Sequence, residues 1–265
     1  MNHLVRDRVL LAALCLTLFA TLGMVSLAQS KAPTQPQWLS ISVVHVKPEM
    51  LTEFLDFQKK EAIPTIQKGG VKQRSVWQTA AFGEAFEYVF VTPIDSFAQY
   101  DGDSPIQKAL GKEGAEAYLA KARKLISSVH TYAVLTRPDL SYEREMKGPP
   151  KLAVVTTAQF APGRRMEYES LIKKEIVPVM KQAGVGGYWV SQGIFGGDGN
   201  TYVSLTLYES FAEIGKGSPF MKVLGQEGAT KLGQKFTGIM THIENHIERY
   251  NAELSFPTPA QPQAK

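Results

Sequence analysis

The chain has 265 residues, with 29 Lys and Arg against 25 Asp and Glu, a formal net charge of +4 and one cysteine. The charges are interspersed rather than gathered in a basic stripe, so the composition lacks the electrostatic footprint of a nucleic-acid binder. The single Cys15 lies in an N-terminal apolar stretch, so the rest of the chain has no thiol for disulfides, thiol catalysis or cysteine-ligated zinc.

Residues 1–28 read as a secretory signal. Arg6 and Arg8 form the positive start, Val9 to Leu27 is apolar, and Ser26-Leu27-Ala28 offers small residues for cleavage before Gln29. Export makes the expected location periplasmic or secreted, with membrane attachment only through an uncleaved signal. A Pro/Gln-rich linker covers 29–37 and a similar tail covers 257–265, both of tether composition.

Between the tethers, a strand over Leu39 to Val46 leads into a helix to about Gln67, carrying Phe54, Phe57, Ala62 and Ile66 at the helical period. A cap at Gly70 ends it, and two strands follow as a hairpin, Lys72 to Ala80 and Phe86 to Thr92. Ser104-Pro105 is a helix start, with serine as N-cap and proline at the first helical position. That second helix runs to about Ile126, with Gly114 expected to split it, and a last strand covers Ser128 to Thr136.

The same order then recurs. Leu39 to Tyr142 lies over Ala153 to Phe256 without a gap, 114 residues apart. Lys59-Lys60-Glu61 matches Lys173-Lys174-Glu175, Pro64 matches Pro178, Ser104-Pro105 matches Ser218-Pro219, and Glu113-Gly114-Ala115 matches Glu227-Gly228-Ala229. In the second copy Gly184 caps the first helix, and Gly196-Gly197-Asp198-Gly199-Asn200 turns the hairpin. Each copy, 38–145 and 151–256, reads βαββαβ, the ferredoxin-like order, with helices on one sheet face and the other face needing a partner. The expected fold is therefore α+β: two tandem ferredoxin-like repeats packed sheet to sheet as an intramolecular dimeric α+β barrel, a monomer with an internal pseudo-dimer.

On these residues the chain resembles the dimeric α+β barrel superfamily. Within it, the Lys-Lys-Glu-x-x-Pro helix and the Ser-Phe before the second helix (Ser96-Phe97, Ser210-Phe211) resemble NIPSNAP-type proteins. Thr136 to Tyr142 resembles an ending found in secreted bacterial proteins of that kind. The resemblance implies a cavity between the sheets, and some relatives of the fold bind haem through a barrel histidine. It supplies no catalytic set to transfer.

Strand alternation nominates the cavity lining. Ser128, His130 and Tyr132 share the inward face of one last strand, and His242, Glu244 and His246 share that of the other, with Glu248 near the rim. His45 and its counterpart Gln159 join them. The apolar Val89, Val91, Val203 and Leu205 read as helix-facing, which turns Tyr88, Phe90, Tyr202 and Ser204 inward. His242-x-Glu244-x-His246 is the candidate metal set, since alternate strand residues project from one face. Trp77 and Trp189 either line a site for a flat ligand or fill a plain core. Glu61 and Glu175, beside the buried helical stripe, read as structural acids paired with a nearby Lys or Arg. The cofactor is left open between a metal ion, haem and none. The activity is open among a small-molecule-binding module, a monooxygenase-type or haem- or metal-dependent enzyme, and an envelope interaction protein.

Overall fold

The computed structural model describes residues 35–144 and 150–256; the expected leader, most of the linker and the C-terminal tail lie outside the described residues. In chain order the first half comprises β1 (Trp38–Val46), α1 (residues 51–68), β2 (Ser75–Ala81), β3 (Glu87–Ile94), α2 (Pro105–Leu125), β4 (Ile126–Thr136) and the short β5 (Tyr142–Glu143). The second comprises β6 (Leu152–Phe160), α3 (residues 165–183), β7 (Gly187–Phe195), β8 (Thr201–Tyr208), α4 (Pro219–Lys235) and β9 (Met240–Tyr250). Among these residues no helix is long and apolar enough to cross a membrane.

The strands run in the order β4-β1-β3-β2-β9-β6-β8-β7, all antiparallel, and a β4–β7 pairing closes them into an eight-stranded barrel. Closure leaves no unpaired sheet edge in the body of the barrel. The four helices lie outside it, packed on the outward face of the strands.

The Glu-x-x-Pro spacing has a backbone explanation. Pro64 and Pro178 cannot donate a hydrogen bond, and a proline ring inside a helix clashes with the carbonyl four residues earlier. Each helix widens into a π-helical turn just before its proline, Gln58–Ala62 and Ile172–Ile176. There Ile63 N–H donates to the Gln58 carbonyl and Val177 N–H to that of Ile172, a five-residue step that absorbs the proline. Glu61 and Glu175 sit in these turns and bind Lys121 and Lys235 of the neighbouring helix, which bears out their structural reading.

Ser104 caps α2 with a full capping box to Gln107, and Ser218 caps α4. Both long helices are interrupted, though one turn earlier than expected. Gly114 and Gly228 remain helical, and the break falls at Gly111 (φ 71°) and Gly225 (φ 66°). Only glycine adopts that left-handed conformation at little cost, so these residues turn the chain without a side chain to strain it.

Three cores result. Val44, Phe54, Phe57, Val76, Tyr88 and Phe90 fill the first sheet–helix layer. Phe160, Tyr168, Ile172, Met180, Val190 and Tyr202 fill the second. Trp77, Ala153, Val155 and Leu207, with Val89, Val91, Trp189, Val203, Leu205 and Tyr250 against them, fill the middle of the barrel.

This arrangement corrects the expected facing of the hairpins. Tyr88 and Phe90 point to the helices, where Tyr88 meets Phe54 at 5.2 Å between ring centroids, and Tyr202 meets Tyr168 at 5.2 Å. Val89, Val91, Val203 and Leu205 point inward instead. Both faces of β3 are largely apolar, and in β8 the more apolar face, Val203, Leu205 and Leu207, turns into the barrel while Tyr202 turns to the helices. Register chooses: Val44 pairs with Tyr88 and His45 with Glu87, which fixes the parity of β3 from that of β1.

Past each last strand the chain crosses to the opposite half. Leu140 is buried in the second helix-layer core and Leu254 in the first. The Ser141 hydroxyl donates to the Arg137 carbonyl at 2.7 Å and accepts from Val190 N–H at 2.9 Å. Ser255 repeats this with the Asn251 carbonyl at 2.7 Å and Val76 N–H at 2.8 Å.

Candidate functional site

β4 and β9 each have eleven residues and outrun their neighbours. β2 pairs with β9 only over Ile247–Tyr250, and β7 pairs with β4 only over Ala133–Thr136. The leading parts of β4 and β9 therefore pass beyond the barrel seam, which leaves His130, His242 and Glu244 exposed. Behind these projections, where the barrel mouth meets its apolar middle, lies a group of half-buried polar side chains around a buried acid.

Glu248 is 5% exposed, and its carboxylate accepts from His246 Nε2 at 3.2 Å. Glu87, from the start of β3, faces them from the other half. One ligand atom each of Glu87, His246 and Glu248 lie within 4.8 Å of one another. On the far side, His45 Nε2 is 3.1 Å from the Glu87 carboxylate, and the Ser128 hydroxyl is 3.1 Å from His45 Nδ1. Burial raises the Glu87 pKa, with the Glu248 charge adding to it and His45 and His246 opposing it. The hydrogen bond to Glu248 raises the pKa of His246. Tyr132 faces the same acids: burial, then the charges of Glu248 and Glu87, pushes its phenol up to about 12.

Two glycines let loops approach this mouth. A Cβ on Gly83 would stand 3.1 Å from His246 Cβ, and one on Gly196 would stand 2.9 Å from Tyr132 Cα, closer than real Cβ atoms come. Gly196 also has a φ of 82°, so any other residue there would be strained and would push Tyr132 away.

The expected metal set separates into two pairs. His242 binds Glu244 at 2.8 Å, and both are largely exposed, while His246 binds Glu248 instead. Consecutive inward residues of one strand are too spread out for the first and last to converge, so the cluster takes its third member from another strand. His130 stacks on Tyr132 at 5.7 Å and is exposed. Trp77 and Trp189 face inward as expected, but as part of the packed middle. Tyr88 and Tyr202 belong to the helix layers and line no cavity. Glu248 is buried rather than at the rim.

Glu87 escaped sequence reasoning, although one signal points to it. It stands opposite His45, and its counterpart in the second copy is Thr201, so it is a departure between the copies at an inward position.

A haem does not fit these residues. Among the described residues neither helix-layer core contains a histidine, and the barrel middle is filled by tryptophan, tyrosine and aliphatic side chains. Three of the four described histidines, His45, His242 and His246, are engaged by carboxylates.

No protein-family model matches the chain, and no curated protein does. Solved structures do match. An anthrone oxidase-like protein aligns with a TM-score of 0.56 at 10% identity, over 81% of this chain and 91% of its own. A putative monooxygenase from Lactobacillus acidophilus NCFM aligns with a TM-score of 0.52 at 8% identity, over 81% and 93%. A mutant chlorite dismutase from Candidatus Nitrospira defluvii aligns with a TM-score of 0.51 at 8% identity, over 82% and 92%. The fold is that of the dimeric α+β barrels, a class that includes monooxygenase-type and chlorite dismutase-like proteins. At such identities the likeness speaks for the fold alone.

Proposed function

We propose that this chain is an exported, NIPSNAP-like α+β barrel protein that binds a small molecule at the mouth formed by Glu87, His246, Glu248 and Tyr132. In this reading two ferredoxin-like repeats, joined in one chain, stand in for the two subunits of a dimer, so the protein is a monomer. It engages no nucleic acid, and the membrane only if its signal stays uncleaved.

One observation carries the proposal. The two halves contribute equivalent positions to this mouth, and only one set carries acids. The positions of His45, Glu87, His246 and Glu248 are matched across the mouth by Gln159, Thr201, Tyr132 and Val134. The fold is therefore built without acids at the equivalent positions, and a buried carboxylate beside a half-buried one is costly to keep for structure alone. Such a mouth suits a ligand bearing positive charge or several hydrogen-bond donors.

A thermal-shift screen of small amines and polyols against chelator-treated protein tests this. A ligand at 100 times its Kd should add about 2.7 kcal/mol of stability, and Glu248→Gln should abolish the shift. A flat response across the panel overturns the reading. The exported state has its own measurement: the intact mass of protein from a periplasmic or culture fraction should correspond to a chain starting at Gln29. A mass retaining residues 1–28 would contradict cleavage.

A second reading, an enzyme of monooxygenase type, takes its support from the His246–Glu248 pair. An imidazole held by a buried carboxylate is a general acid–base unit, and the Tyr132 phenol beside it stays protonated at neutral pH. Substrate-dependent turnover lost in His246→Ala would favour it over simple binding.

A further inference from the structure

We propose that Glu87, His246 and Glu248 are the protein ligands of a divalent first-row transition-metal ion, with a coordination position left for water or substrate. The proposal rests on the barrel mouth being the functional site and names the charge that the mouth accommodates.

Geometry is the first support. The three ligand atoms already lie within 4.8 Å of one another. An ion with bonds of about 2.0–2.2 Å spans donors up to about 4 Å apart, so side-chain torsions alone close the shell. They come from two strands of different halves, β3 and β9, which fixes two sides of the ion by barrel closure rather than by a loop.

Chemistry is the second. One imidazole and two carboxylates, with no thiolate, form a set that suits Zn²⁺, Mn²⁺ or Fe²⁺ and not a soft ion. Three protein ligands with a free position is the pattern of reactive rather than purely structural sites.

The third is electrostatic. The ion pairs of Glu87 and Glu248 here are with the histidines His45 and His246. Two carboxylates removed from water beside each other gain most from a dication at their centre.

The surroundings are the fourth. Ser128 hydrogen-bonds His45, and His45 pairs with Glu87, a chain that orients the Glu87 carboxylate from behind as outer-shell groups do around a metal. Thr79 stands opposite Glu248 in the β2–β9 register, and its hydroxyl is buried without a protein partner. A metal-bound water would supply that partner.

Titration of the metal-free, full-length chain with Zn²⁺ or Co²⁺ by calorimetry tests the site. One ion should bind per chain. Glu87→Gln and Glu248→Gln should each weaken binding by about 100-fold, and His45→Ala by about 10-fold, as losses of a ligand and of an outer-shell partner do. His242→Ala and Glu244→Gln should leave the affinity unchanged. The unaltered chain provides a check independent of any variant, because Mn²⁺ should broaden the NMR signals of His45, His246 and Tyr132 before those of His242. Absence of one-to-one binding overturns the proposal, as does binding lost with His242 or Glu244 but kept without Glu87 or Glu248. The amine and polyol screen is run without metal, so the two readings fall separately.

Discussion

Leu254→Ala should destabilise the protein by about 2–5 kcal/mol, the range for removing a fully buried leucine side chain from a core that cannot collapse around the void. Leu254 is completely buried and Leu140 is 1% exposed. Each belongs in sequence to one half and in space to the helix-layer core of the other. The leucines are therefore cross-half anchors, held by the paired hydrogen bonds of Ser141 and Ser255. Leu140→Ala should cost a similar amount. The cores they enter are separate, so the double variant should lose nearly the sum, within about 0.5 kcal/mol. Urea unfolding followed by tryptophan fluorescence reads the loss as a lower midpoint at unchanged slope. Leu110→Ala, at an exposed helix position, should stay within about 0.5 kcal/mol and is the control. A Leu254→Ala effect no larger than that control would mean the strap is not an anchor.

Arg137 should be the most sensitive polar position. At the end of β4 it donates to Asp139 at 2.8 and 2.7 Å, to Glu169 of α3 at 2.7 and 3.0 Å, and to the Tyr202 hydroxyl at 3.0 Å. Tyr202 in turn donates to Glu169, and Arg165 adds a bond at 2.9 Å. Arg137 is mostly buried, so Arg137→Ala should cost about 3 kcal/mol by leaving Glu169 and the tyrosine with half their partners.

These bonds, led by that from Arg137, hold the Glu169 carboxyl down at about 2, against an ordinary 4.5. A carboxyl with a depressed folded-state value contributes stability that is complete above its unfolded value and is lost as pH falls through the folded one. The protein should therefore lose stability between about pH 4.5 and 2. The shift sets a ceiling of about 3 kcal/mol, and solvent at the partly exposed carboxylate brings the contribution nearer 1–2 kcal/mol. Glu169→Gln should remove that part of the acid slope. An unaltered slope between pH 5 and 2 would show that Glu169 is not the group responsible.

Arg137 and Asn251 occupy the same position in the two copies and do different work. Asn251 donates from its amide to Gln78 at 2.7 Å and accepts from Leu254 N–H at 3.1 Å, with no ion pair. The sequence shows that these residues differ. It does not show that the arginine reaches a helix 32 residues further along the chain.

The same limit governed the site. Tyr132 and His246 were legible because each last strand gathers polar and aromatic side chains on one face, and His45 because its counterpart Gln159 is polar at the same strand position. Tyr88 and Tyr202 were misplaced because β3 is largely apolar on both faces and β8 turns its more apolar face into the barrel, and only pairing with β1 and β6 sets their parity. Glu244 and Glu248 are both inward residues of β9, yet one is 67% exposed and the other buried. What separates them is where β2 begins to cover the strand.

The sequence by itself determined the elements, their order, the caps at Ser104 and Ser218, and the interruption of α2 and α4. Each of these depends on a few neighbouring residues and on backbone constraints that act within one turn. The tertiary structure alone decided which acids meet. Glu87 and Glu248 lie in different halves and come together only because β2 closes against β9. Barrel closure depends on the sum of all pairings around the ring, and no local stretch of sequence encodes that sum.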